Sequence, residues 1–62
     1  MVITISRASN GDAIIRCHNK KFIENNKTDE MKFPVGYLLT VMSAMSDWCN
    51  NELKEECLFD VE

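Results

Sequence analysis

The chain has one histidine, one proline and two glycines, and it has no long apolar run. A membrane-spanning helix needs about 18 successive apolar residues, so none is expected here. The opening stretch, MVITISRASNGD, lacks the basic start and extended apolar core of a secretory leader. The protein is therefore read as cytoplasmic, with no membrane partner. Its three cysteines, Cys17, Cys49 and Cys57, are odd in number and irregular in spacing, unlike a secreted disulfide framework. Nor do they form the close pairs of a structural zinc site. Cys49 and Cys57 would lie roughly 12 Å apart along a helix, too far to share one ion. They are read as small buried hydrophobes, with no metal and no cofactor expected.

A lone histidine limits general-base chemistry near neutral pH to His18. Alternation along a strand sends His18 and Cys17 to opposite faces, which denies them the hydrogen-bond reach of a nucleophilic pair. The carboxylates Glu52, Glu55 and Glu56 have no apolar neighbours that would shift their proton affinity. Neither arrangement is expected to be catalytic, and the chain is read as a non-enzyme.

What remains is ordinary for a folded protein: 45% of the 62 residues are hydrophobic and 27% are charged. Residues 1–62 make one small domain. Such a domain is marginal alone, because a short chain buries only about 60% of its unfolded surface. The net charge of −3 conceals an imbalance. The first half carries Arg7, Arg16, Lys20, Lys21, Lys27 and Lys32, whereas the second half carries Asp47, Glu52, Glu55, Glu56, Asp60 and Glu62 against Lys54 alone.

VITISRA alternates and is β-branched, the pattern of a half-buried strand. Asn10-Gly11 then signals a hairpin, and AIIRCHNKKFI reads as the returning strand. A three-residue loop, Ser9-Asn10-Gly11, pairs Ile5 with Ile15 and Ile3 with Cys17, whereas a two-residue turn would set Ile5 against Arg16. Burial selects the first register, because a slip of one residue turns every side chain over. Gly11 then needs positive φ. ENNKTDEMKF is polar, and two readings stand side by side: a short third strand near Met31 to Phe33, or a mobile connection.

Pro34 suits a first helical turn, and a helix is expected from about Pro34 to about Cys57. Leu38, Val41, Met42, Met45, Cys49 and Leu53 recur at helical spacing as its main stripe. Tyr37, Ala44 and Trp48, with Val41 at the seam, form a second apolar flank. The arc is wider than the ~100° that an ordinary surface helix needs. The closing LFDVE reads either as a continuation of the helix or as an extended tail pairing with the hairpin.

The expected fold is thus α+β: an N-terminal β-hairpin, with room for a short third strand, packed on one long C-terminal α-helix. The expected function is protein binding, as an inhibitor or adaptor occupying a partner's surface. Tyr37, Val41, Ala44 and Trp48 would form the partner or homodimer interface, and Asp47, Glu52, Glu55 and Glu56 an acidic face. In size and character the chain resembles small accessory proteins of phages and mobile elements. The alternative is a nucleic-acid-binding regulator that touches phosphate through Arg7, Arg16, Lys20 and Lys21. The acidic balance of the chain opposes that alternative.

Overall fold

A computed structural model describes all residues, Met1–Glu62. Strands β1 (Val2–Arg7) and β2 (Ala13–Arg16) are followed by a short helix α1 (Lys20–Asn26) and strand β3 (Glu30–Phe33). A 3₁₀ turn at Val35–Tyr37 leads into helix α2 (Leu38–Trp48), which ends in a π-helical turn at Cys49–Leu53. Strand β4 (Leu58–Val61) closes the chain. The four strands form one sheet in the order β3-β2-β1-β4. β1–β2 and β2–β3 are antiparallel, while β4 lies parallel to β1.

The hairpin has the expected register. Ile5 pairs with Ile15 and Arg7 with Ala13. Gly11 has φ +92°, and its N–H donates to the Ala8 carbonyl while the Ala8 N–H donates to the Asp12 carbonyl. Ile3, Ile5, Ile15 and Cys17 are all buried on one face, as alternation requires. β3 is present where a third strand was one of two readings, and the tail pairs with β1 rather than prolonging the helix.

Two boundaries differ from the sequence reading. The returning strand stops at Arg16 instead of running on through Ile23, because Asn19 caps α1. The Asn19 Oδ1 accepts from the Lys21 and Phe22 N–H groups at 2.8 and 3.4 Å, satisfying amides that a helix start otherwise leaves free. These roughly two turns place Phe22 in the core with no exposure. The long helix ends at Leu53, short of Cys57, where Lys54 turns left-handed at φ 55°. The Lys54 and Glu55 N–H groups both converge on the Cys49 carbonyl, which closes the wide turn.

Why α2 is so apolar now has a geometric answer. It joins β3 at one edge to β4 at the other, and because those two strands run in the same direction it must return along the covered face of the sheet. Leu38, Val41, Met42, Met45 and Trp48 all pack against the cluster of Ile3, Ile5, Ile15, Cys17 and Phe22. Cys49 is fully buried beside them. One face of the sheet is thus covered by α2, and the other is open.

Candidate functional site

The two edges of the sheet end very differently. On β2 the Cys17 N–H donates to the Asp29 carbonyl. Antiparallel alternation then turns the Met31 and Phe33 amides toward β2 and those of Glu30 and Lys32 outward. The Glu30 groups do not stay free. Thr28 Oγ1 donates to the Glu30 carbonyl at 3.0 Å and accepts from the Glu30 N–H at 3.2 Å. The Glu30 carboxylate accepts from Arg16 at 2.9 Å and has Lys32 Nζ at 3.7 Å. The hydrogen bond to Arg16 holds the Glu30 carboxyl below its usual range. This edge is blunted by one hydroxyl and neutralised by two cations.

At β4 no such device exists. The Leu58 N–H donates to the Met1 carbonyl and the Glu62 N–H to the Ile5 carbonyl, both at 2.8 Å. Alternation in a parallel pair therefore turns the N–H and C=O groups of Phe59 and Val61 away from the sheet. The side chains of these two residues lie on the helix-covered face, opposite Ile3 and Ile5. Phe59 packs on the core, but Val61 is 71% exposed. Asp60 falls on the open face beside Thr4. Neither Asp60 nor Glu62 takes part in an ion pair.

Beside Val61 is an apolar recess of about 140 Å³, lined by Ile5, Ala13, Val35, Leu38 and Val61 with Ser6, Arg7 and Glu62 at its margin. Val35 is 43% exposed, and Leu39, four residues on, is 80% exposed. Val61 thus links the open backbone groups of β4 to the recess that Val35 and Leu38 help to line. Free edge backbone and exposed apolar surface seldom coincide in proteins that keep their sheets unpaired.

The residues singled out in the sequence are distributed otherwise. Val41 and Trp48 pack on the chain's own core, while Tyr37 (61% exposed) and Ala44 remain on the surface. Trp48 borders a shallow depression shared with Lys21, Glu24 and Asn25 of α1 and with Glu52 and Leu53. Asp47, Glu52, Glu55 and Glu56 are exposed, and Glu55 pairs with the amino group of Met1 at 2.9 Å. Of the basic set, Arg16 is held by Glu30, Lys21 lies 4.0 Å from Glu24, and Arg7 donates to the Gly11 carbonyl. Lys20 is exposed on α1. These four do not form one positive face.

Leu39, Val35 and Val61 were not among the residues singled out. Leu39 lies off the main helical stripe, and its signal was that it stands alone there, four residues after Val35. Val61 could be recognised only once the strand it belongs to had a place in the sheet.

Other chemistry in the chain is subdued. His18 is exposed, with Asp29 Oδ2 at 3.6 Å from its Nδ1. The Cys49 Sγ–H donates to the Met1 Sδ at 3.6 Å. Burial, and then a hydrogen bond with Cys49, push the Cys57 thiol up from 9.0 to about 12. It stays protonated at neutral pH and is a poor nucleophile. No group of three or more His, Cys, Asp or Glu side chains is gathered where it could hold a metal ion. No helix is long and apolar enough to cross a membrane. No protein-family model matches the chain, and neither a curated protein nor a solved structure matches it.

Proposed function

We propose that this chain is a small non-catalytic protein-binding module that acts as an inhibitor or adaptor by occupying a partner's surface. The observation that carries this reading is the exposure of Val61 and Val35 around an apolar recess at an unpaired sheet edge, with Leu39 also exposed on α2. Leu39 and Val61 make almost no use of their apolar surface within the chain. Covering them offers roughly 25 cal/mol per Å² of apolar area removed from water. The basic residues support a nucleic-acid reading less well, since Arg16 and Lys21 already face carboxylates, whereas phosphate binding needs a concentrated positive patch.

The test compares the tagged full chain with a Leu39→Glu/Val61→Lys double variant and with an Asn50→Lys control, each used to capture proteins from cells of its source. The expected result is one stoichiometric partner that is retained by the wild type and the control and lost by the double variant. Equal capture by all three proteins would contradict the reading, as would the absence of any stoichiometric partner. The urea midpoint should move little, because substitutions at exposed positions usually stay within about 0.5 kcal/mol. Loss of capture would then not be mistaken for unfolding.

A further inference from the structure

The geometry points to a particular kind of partner: an extended segment, alternating apolar and basic residues, that adds to β4 as a fifth strand. This rests on the protein-binding reading and specifies how the binding is done. Phe59 and Val61 present two N–H donors and two C=O acceptors outward, the set that an incoming strand pairs with. Residues of that strand opposite Phe59 and Val61 would project onto the helix-covered side. There they would meet Val61 and the apolar recess, which calls for valine, isoleucine or leucine. The intervening residues would project onto the open side beside Asp60 and Glu62. Neither carboxylate has a cation within ion-pairing distance, Arg16 acting on Glu62 only from farther off, so lysine or arginine is the complement there.

The same charges argue against a second copy of this chain at the edge. A two-fold antiparallel pairing of β4 with itself has three close registers. Centred on Asp60, it sets Asp60 against its own copy. Centred on Val61, it sets Asp60 against Glu62, and centred on Phe59 it sets Glu62 against Glu56. Like charges directly opposite one another destabilise a strand pair, so every register is penalised. A basic foreign strand meets no such penalty. The opposite edge is a poorer host for either guest, because Thr28 Oγ1 already engages the Glu30 backbone and leaves only that of Lys32 outward.

The test is an NMR titration of the ¹⁵N-labelled full chain with short synthetic peptides in which valine alternates with lysine, with threonine or with glutamate. A further lysine peptide is N-methylated at the residues that face β4. The lysine peptide should bind at least about tenfold more tightly than the glutamate peptide, with threonine between them. Binding should slow exchange of the Phe59 and Val61 amides at least several-fold and leave Glu30 unchanged. N-methylation should abolish it. Equal binding of the lysine and glutamate peptides would overturn the proposal, as would binding that survives N-methylation or no binding at all. A dimer in sedimentation whose Phe59 and Val61 amides are already protected would also overturn it, in favour of a second copy. Suppose the Leu39→Glu/Val61→Lys variant loses its cellular partner while the lysine peptide leaves the two amides unprotected. The protein-binding reading would then stand and the strand-addition mechanism would fall.

Discussion

The two outer strands of this sheet are alike in construction and opposite in finish. Each has four residues, and each follows a helix that ends on a lysine in the left-handed conformation, Lys27 (φ 63°) before β3 and Lys54 (φ 55°) before β4. Yet the outward backbone of β3 belongs to charged residues and is partly engaged by Thr28, whereas that of β4 belongs to Phe59 and Val61. On β3, Glu30 is balanced by Arg16 and Lys32; on β4, Asp60 and Glu62 are in no ion pair. Natural sheets blunt their edges with short strands and charges because bare edges recruit other chains. One edge here follows that practice throughout. The other follows it only in being short and in carrying carboxylates that repel their own copies.

Loss of the element that ties β3 to the core should disturb the sheet most. Phe22 is fully buried and is the only buried residue of α1. Phe22→Ala should cost about 3–5 kcal/mol, which is comparable with the whole stability of about 3–9 kcal/mol expected at ~0.05–0.15 kcal/mol per residue. Urea denaturation followed by circular dichroism should show a variant that is largely unfolded at 37 °C. A fully folded variant would mean that α1 contributes little to the core.

A subtler change would make the closed edge resemble the open one. Thr28→Val preserves shape but removes the hydroxyl that holds both backbone groups of Glu30. Stability should fall by about 0.5–1.5 kcal/mol, and sedimentation should reveal stronger concentration-dependent association than in the wild type. A strictly monomeric variant would show that Thr28 is not what protects β3.

Acidity should act on the same edge. The Glu30 carboxyl lies below its ordinary value of 4.5 in the fold, first because of its hydrogen bond from Arg16. A lowered carboxylate pKa contributes stability that is complete above the unfolded value and disappears as pH falls through the folded one. The difference in urea midpoint between the wild type and Glu30→Gln should therefore shrink steadily as pH drops below about 4.5. An unchanging difference between pH 6 and pH 3 would contradict the pairing.

The smallest effect concerns the two turns. A non-glycine residue at positive φ is strained by about 1 kcal/mol or more, offset in part by the greater flexibility of unfolded glycine. Lys27→Gly and Lys54→Gly should each raise stability, by similar amounts of up to about 1 kcal/mol, in thermal denaturation. Marked inequality would mean that one lysine side chain holds its turn by a contact of its own.

Local chemistry made much of this fold legible in the sequence. The hairpin register followed from keeping Ile3, Ile5, Ile15 and Cys17 on one side, and Gly11 marked its loop. The main stripe of α2 followed from helical spacing. What escaped had either short or non-local causes. α1 is too short for periodicity to show, and its signals were a single Asn19 cap and Phe22, which had merged into a strand-like run. A tail pairing with the hairpin was one of two readings, but its parallel register on β1 joins residues at opposite ends of the chain and is set by where α2 delivers them. Because the site depends on that pairing, Val61 looked like tail, and Leu39 looked like an isolated apolar residue.

Residue-resolved amide hydrogen exchange shows whether β4 is an open edge in the free chain. An open edge gives a two-residue alternation in a monomeric sample. Leu58 and Asp60 should be protected, at least about tenfold beyond Phe59 and Val61, whose outward amides should exchange nearly as fast as in an unstructured peptide. Protection of Phe59 and Val61 equal to that of Leu58 would contradict it by showing the edge already covered. Rapid exchange at all four positions would contradict it equally, because β4 would then not be paired with β1.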